Sequence, residues 1–286
     1  MALSNIIPEV WRNTVLAALR KDLVFGAIAN QNFKQEVWGF GDTLNILTMG
    51  GMSDAEYGSD NITYADLTDA KVQLKIDKKR YVAFYDEDHN KVLTNTKYLS
   101  EVLTDAGHQI AEYFDAEGMK EYANATLDSY VTGTTQWQIT KDKATNLPHL
   151  MGALRRQLKK VNAPSGEVYF IAPPEIEEAI TLYFGDKGPA SGLSDAAVVN
   201  GYLGKFFGVQ VYISNNCVTE SATTHGLAGV KGTSIALASD VITDEGLRLE
   251  GRIATGYRML GIGGIKTFRP AISVDVNLNE TVIAAS

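Results

Sequence analysis

The sequence predicts an α+β protein, and three observations carry that reading. Two runs, Thr43–Leu47 and Val72–Asp77, alternate apolar and polar residues with the period of strands that have one wet face. Leu99, Val102, Leu103, Ala106, Ile110, Tyr113 and Phe114 recur at spacings of three and four, the stripe of a long amphipathic helix. Further strands and shorter helices follow that helix to the end of the chain.

The two strand-like runs bracket a polar stretch from Met49 to Thr68, with glycines at 50, 51 and 58 and few large apolar side chains. A connection that long is uncommon inside a compact domain. It buries too little apolar surface to offset the entropy of ordering it, so either it is disordered or another molecule orders it. Charge separates along this hairpin. Asp42, Asp54, Glu56, Asp60, Asp66 and Asp69 are unopposed by any Lys or Arg, whereas Lys71, Lys75, Lys78, Lys79 and Arg80 are opposed only by Asp77. Copies of the arm lying over one another would set acidic tips against basic stems, which gives register and orientation more than affinity. The candidate contacts between copies are therefore Met49, Gly51, Met52, Asp54, Glu56, Tyr57, Asp60, Asp66, Lys71, Lys75, Lys78, Lys79 and Arg80. The plainer alternative is a solvated hairpin with scattered charge.

Length and composition bound the rest. A chain of 286 residues with 45% hydrophobic content builds one large or two small domains with a substantial core. A net charge of −8 argues against a dedicated nucleic-acid binder and suits a surface that tolerates DNA without gripping it. Cys217 is the only cysteine, which excludes an intrachain disulfide and a cysteine-rich metal site. The N-terminus lacks a secretion signal and no segment reaches the length of a membrane span, so the sequence implies a soluble protein made in a reducing cytoplasm.

In chain order, a terminal helix is expected over Pro8–Asp22, with Pro8 in the first turn, and a connector over Phe25–Phe33. After the hairpin, Arg80–Tyr85 reads as a continuous apolar run, which predicts a strand entering a buried sheet. The cluster Asp86-Glu87-Asp88-His89 holds metal-ligand residue types, but nothing nearby completes a ligand spacing, and a solvated loop is the stronger reading. The long helix spans Thr96–Tyr122; continued to Leu127 it would be about 45 Å long. A short strand or loop surrounds Gln136–Ile139. Asn146 then caps a helix whose apolar stripe is Leu147, Leu150, Met151, Leu154, Leu158 and Val161. Arg155, Arg156, Lys159 and Lys160 fall on its other face, a solvated face in preference to a nucleic-acid contact. A buried strand at Glu167–Ile171 is followed by a helix from Pro173 to Phe184, closed by Gly185. Beyond a loop at Asp186–Leu193 and a short helix at Ser194–Asn200, strands are expected at Val209–Ile213, Ser234–Ala238, Leu247–Ile253 and Ala271–Leu278. The glycine-rich run Tyr257–Phe268 does not carry the dinucleotide-binding spacing.

No catalytic constellation emerges: there is neither a Gly-x-Ser-x-Gly elbow nor a phosphate-binding Walker loop. His89, His108, His149 and His225 stand apart with no ligand spacing, and Cys217, even with His225 as a partner, reads as an idle thiol. The sequence therefore predicts no catalytic, cofactor-binding or metal site, and the weight moves to binding and assembly.

The order of several segments resembles a known family. Ile7–Trp11, Leu19–Phe25, Gly41–Ile46, Ile62–Asp69 and the strand to Phe84 are similar to the opening of many tailed-bacteriophage major capsid proteins. Val199-Asn200-Gly201-Tyr202-Leu203-Gly204-Lys205-Phe206-Phe207-Gly208 and the run to Asn215 resemble the axial-domain signature of the same family. The resemblance implies the Hong Kong 97-type capsid fold: an N-terminal arm at 1–35, an extended β-hairpin loop at 36–86, a peripheral domain at 87–145 and 241–286 with a long spine helix, and an axial domain at 146–240, the last strand after 270 being hard to place. It further implies a non-enzymatic shell protein that self-assembles as pentamers and hexamers into an icosahedral virion shell around double-stranded DNA. A portal protein, and scaffolding or decoration proteins, would be partners; packaged DNA would be touched only non-specifically, no membrane or cofactor is involved, and assembly would occur in the host bacterial cytoplasm. An encapsulin-like compartment shell is the alternative, followed by an enzyme using Cys217 or the Asp86–His89 cluster.

Overall fold

The computed structural model describes residues 24–32, 40–49, 69–87, 96–128, 137, 146–187, 205–221 and 223–279. The helix expected over residues 8–22, the polar stretch 50–68, Asp88 and His89, and the loop and short helix expected over residues 188–200 lie outside them. The described strands form three sheets. In the first, β1 (Thr43–Met49) pairs antiparallel with β2 (Asp69–Lys75), Thr43 opposite Lys75 and Met49 opposite Asp69. The foot is closed by Gly41 N–H donating to the Ile76 carbonyl and Ile76 N–H donating to the Asp42 carbonyl, both at 2.9 Å.

After Ile76 and Asp77 the chain changes sheets. β3 (Lys78–Glu87) pairs with β11 (Ala254–Thr267), which pairs with β10 (Ile235–Arg248), all antiparallel. The expected burial of Arg80–Tyr85 is corrected here. β3 is an edge strand, and Tyr81 and Tyr85 are 75% and 51% exposed. Val82 turns to the opposite face and packs into a core. Alternate residues of one strand thus meet different surroundings.

Helix α1 (Phe25–Ile28) stands where a connector was expected. Phe25 and Ile28 are each 1% exposed, and Asn30 bridges to β10 through its backbone. Helix α2 (Thr96–Met119) continues as a 3-10 turn, Lys120–Asn124. At 1.5 Å per residue it is about 36 Å long. It lies on β11, where the glycine-rich run removes the side chains that would hold it off. A Cβ on Gly263 would stand 2.8 Å from the Phe114 ring, and one on Gly261 would overlap Ile110. On the other face of β11, a Cβ on Gly264 would collide with the Lys75 carbonyl of β2. The run is a strand thinned for close backbone approach on both faces. Gly118 in α2 serves likewise, its missing Cβ making room for the Phe25 ring.

The third sheet has seven strands. Its path is β4 (Leu127–Asp128), β12 (Val274–Asn279), β9 (Thr223–Val230), β5 (Val168–Ala172), β7 (Val209–Ile213) and β6 (Lys205–Phe206), with β8 (Val218–Glu220) on β9. Both faces are covered. Phe170 and Ala172 pack with α3 (Asn146–Lys160) and α4 (Pro174–Lys187). Tyr169 and Ile171 pack with Phe25, Ile28, Phe114 and Met119 from α1 and the end of α2. Such double burial removes the alternation that marks a half-exposed strand. Four expectations shift. Helix α4 runs through Gly185 to Lys187; the strand expected at 234–238 is the start of the longer β10; residues 249–253 form the β10–β11 connection, not a strand; and Pro270–Ile272 is a 3-10 turn before β12.

The Gly264 contact yields the first test. Gly264→Ala places a methyl group against a backbone carbonyl that has no side-chain freedom, and overpacking of this kind costs about 1–3 kcal/mol. Gly251→Ala, in open space, serves as the control. Urea unfolding of the purified chain should show a lower midpoint for the first and an unchanged midpoint for the second; equal midpoints would contradict the packing described.

Candidate assembly surface

The hairpin is rooted in the chain's own core. Leu74 and Ile76 are fully buried against Ala236, Ala238 and Ile262, with Leu44, Ile46 and Phe268 packed around them. Burying one such Leu or Ile side chain stabilises by about 1.5–3 kcal/mol. On the opposite, exposed side Gln73 Nε2 donates to Asn45 Oδ1 at 3.1 Å.

The basic return of the hairpin divides between the chain's own helix and solvent. Lys78 Nζ lies 2.9 Å from Glu117 Oε2 of α2, and Lys120 Nζ approaches the other oxygen at 2.6 Å. The Arg80 guanidinium stands 4.3 Å over the Tyr113 ring, also on α2. Lys79 covers the Phe40 ring at 4.5 Å, and Lys75 is exposed. Among the residues singled out from the sequence, Lys78 and Arg80 thus meet inside one chain. Lys71 and Met49 belong to β2 and β1, and Gly51, Met52, Asp54, Glu56, Tyr57, Asp60 and Asp66 lie outside the described residues.

One surface was missed in the sequence. Tyr81, Ala83 and Tyr85 share the face of β3 turned away from α2, with Leu260 of β11 opposite Tyr81. Arg252 lies 4.9 Å over the Tyr85 ring and donates to its hydroxyl at 2.7 Å. Leu247 and Ile253, at the end of the β10–β11 ribbon, are 43% and 76% exposed. An apolar, aromatic strip of this kind marks an interaction surface. Its signal was present as alternation from Tyr81 to Tyr85, hidden because both registers carry apolar residues.

Cys217 and His225 do not form a nucleophile–base pair in the structure. Burial pushes the Cys217 thiol up to about 12, with Glu175 and Asp115 adding to the effect, so the nucleophilic thiolate is disfavoured. His225 is engaged elsewhere: its Nδ1 lies 3.2 Å from both Asp275 oxygens and its ring stacks on Tyr122 at 4.1 Å. Among the described residues, no three His, Cys, Asp or Glu side chains gather in a way that would hold a metal ion, and no helix is long and apolar enough to cross a membrane.

The Lys78–Glu117 pair makes hairpin anchoring pH-dependent. Burial raises the Glu117 carboxyl, but hydrogen bonds from Lys120 and Lys78 outweigh it and hold the group below its usual value. The hydrogen bond to Glu117 raises Lys78 above its usual value, with burial opposing. The depressed carboxyl contributes stability above its unfolded pKa and loses it as pH falls through its folded one. The raised amine contributes below its unfolded pKa and loses it as pH rises through its folded one. Lys78 is a third exposed, so the pair is worth only about 0.5–1 kcal/mol at neutral pH. Lys78→Gln should therefore lower stability by that amount at pH 7. The gap to the natural chain should close below roughly pH 4, where glutamate is protonated. A gap unchanged at pH 3 would contradict the assignment.

No protein-family model and no curated protein matches the chain. Solved structures do. A chain from Mycobacterium phage Che8 superposes with a TM-score of 0.75 at 21% identity, over 98% of this chain and 99% of that one. A chain in the capsid structure of cyanophage P-SCSP1u gives 0.72 at 15% identity, covering 96% and 93%. One from the mature capsid of bacteriophage PhiM1 gives 0.66 at 11% identity, covering 94% and 91%. The likeness extends over nearly the whole of both chains, so the chain is a mixed helix-and-sheet protein with the fold found in bacteriophage capsid structures.

Proposed function

We propose that this chain is the major capsid protein of a tailed bacteriophage, self-assembling into the icosahedral shell that encloses double-stranded DNA. The observation that carries the reading is the near-complete mutual coverage with chains from phage capsids. A hairpin rooted in its own core beside an open aromatic sheet face supports it, because a shell is built from modest contacts repeated between many copies. No observation favours a cargo compartment.

In this reading residues 1–35 form an arm and 36–86 the extended loop of a Hong Kong 97-type subunit. Residues 87–145 and 241–273 belong to the peripheral unit, which holds α2, β11 and the greater part of β10, and 146–240 to the axial unit. The pairing of β12 with β9 supports counting 274–279 with the axial sheet. Copies associate as pentamers and hexamers in a virion assembled in the bacterial cytoplasm, with a portal and any scaffolding or decoration protein as partners. The distal hairpin, with Asp54, Glu56, Asp60 and Asp66, and the basic Lys71, Lys75 and Lys79 are the proposed contacts with neighbouring copies.

Deleting residues 50–66 spares the buried root at Leu74 and Ile76. The deletion protein should keep its helix and sheet content by circular dichroism and remain soluble, yet form no shells by electron microscopy. Particles of normal size and number would overturn the arm's role. Tyr81→Asp combined with Tyr85→Asp, on exposed positions, should leave the unassembled chain's unfolding midpoint within about 0.5 kcal/mol and reduce shell yield at least tenfold; unchanged yield would remove this face from the contacts.

A further inference from the structure

Helix α3 divides into two faces. Leu147, Leu150, Met151, Leu154 and Leu158 are at most 3% exposed. Arg155, Arg156, Lys159 and Lys160 are all exposed and line an open concavity with Gly152. This is a concentration of positive charge on a chain whose net charge is −8. Among the described residues none of the four has a carboxylate within ion-pair distance. Residues 155 and 159, and 156 and 160, are like charges one helical turn apart, an arrangement that works against the helix. Attraction to the negative end of the helix dipole is confined to the last turn. It accounts for Lys159 and Lys160 and leaves both arginines unexplained.

The structure adds a device that orients one of them. Arg155 Nη1 donates to the Phe207 carbonyl at 3.1 Å. That carbonyl sits in the two-residue turn between β6 and β7, where Phe207 and Gly208 both have left-handed backbone, with φ of 47° and 79°. Turns of this type ordinarily use Asn-Gly, and a bulky residue at the first position is strained. A Cβ on Gly208 would stand 3.2 Å from the same guanidinium. The turn therefore comes close to Arg155, takes one of its N–H groups and leaves the others directed elsewhere. Fixed arginine forks suit phosphate oxygens, and the two cation pairs repeat along a straight helix at about 6 Å.

We propose that the exposed face of α3 is a sequence-independent contact for the phosphate backbone of duplex nucleic acid, with Arg155, Arg156, Lys159 and Lys160 as its cations. The inference rests on the capsid reading for where the duplex is met, namely the packaged genome. Four cations on an acidic protein make a contact weak enough to let the duplex move, and each subunit contributes one. Neutralising four phosphates predicts a slope of about −3.6 in log affinity against log salt.

The test uses the full-length chain and two fluorescent 20-base-pair duplexes of unrelated sequence, followed by anisotropy between 50 and 200 mM salt. Both duplexes should bind alike, with the slope above. Replacing Arg155, Arg156, Lys159 and Lys160 together with Gln should weaken binding at least tenfold at the lowest salt, while Lys266→Gln with Arg269→Gln, both exposed, should change it less than twofold. Arg155→Lys should recover only part of the affinity of an Arg155→Gln variant. No binding at 50 mM salt, equal binding by the fourfold variant, or saturable binding of an acidic peptide in place of the duplex would each overturn the proposal. Shell formation is scored separately: an unsubstituted chain that assembles without binding the duplex sinks only the contact, and one that binds the duplex without ever assembling sinks only the capsid reading.

Discussion

A buried carboxylate near the end of the long helix holds the described parts of the molecule together. Asp115 is 3% exposed. Its Oδ1 accepts the backbone N–H groups of Val24 and Phe25 at 2.8 Å, and its Oδ2 accepts the Asn216 side chain at 3.0 Å. One side chain thus satisfies the buried donors that begin α1, which have no partner within that helix, and ties in the turn before β8. Two turns on, Glu121 Oε2 accepts both the N–H and the hydroxyl of Thr267 at the end of β11, while Glu117 holds Lys78 at the start of β3. Segments far apart in sequence therefore converge on about two turns of α2. Losing a buried partner leaves its donors unsatisfied at roughly 1–3 kcal/mol each, so this end of the helix is where the sheets are least free to separate.

That arrangement decides which surfaces remain open. β11 is approached by α2 on one face and by the hairpin foot on the other, and its glycines at 261, 263 and 264 make both approaches possible. With Ile262 covered by Leu74 and Ile76, the hairpin leaves the core at a fixed point. Farther along the same face no described element covers Tyr81, and this strip is continuous with the hairpin foot through β3. A protein whose arm is anchored rigidly at one end, beside a sheet face with aromatic groups in solvent, presents complementary kinds of surface on one subunit. Rigid roots lower the entropy lost on association, which matters most when each single contact is modest.

Legibility in the sequence followed the number of different environments that each residue meets. Helices α2 and α3 were readable because one stripe is buried and the rest is wet, down to Leu147, Leu150, Leu154 and Leu158. The hairpin pair was readable for the same reason. β9 was not, because Gly226 lies against the Ile171 carbonyl and Gly229 against Tyr169 and Ser234; small residues in a strand covered on both faces leave neither alternation nor bulk to detect. The run Leu247–Ile253 alternates, yet it contains a turn whose hydrogen bond joins Leu249 N–H to the Ala254 carbonyl. The ties at Asp115 span 91 and 101 residues and have no local signature. For the assembly surface, the sequence exposed the charge segregation of the hairpin but not that Lys78 and Arg80 face the chain's own helix, nor that Tyr81 and Tyr85 face away from it.

Under the proposed function, these features describe a subunit whose stability is settled within the chain and whose assembly is settled between chains. Cryo-electron microscopy of the purified full-length protein, imaged at increasing concentration without other components, addresses that claim most directly. The account predicts closed shells of discrete size, in which density for residues 50–68 crosses onto the Tyr81 and Tyr85 face of an adjacent copy. Small, monodisperse particles at every concentration, or shells in which those residues fold back on their own subunit, would contradict it.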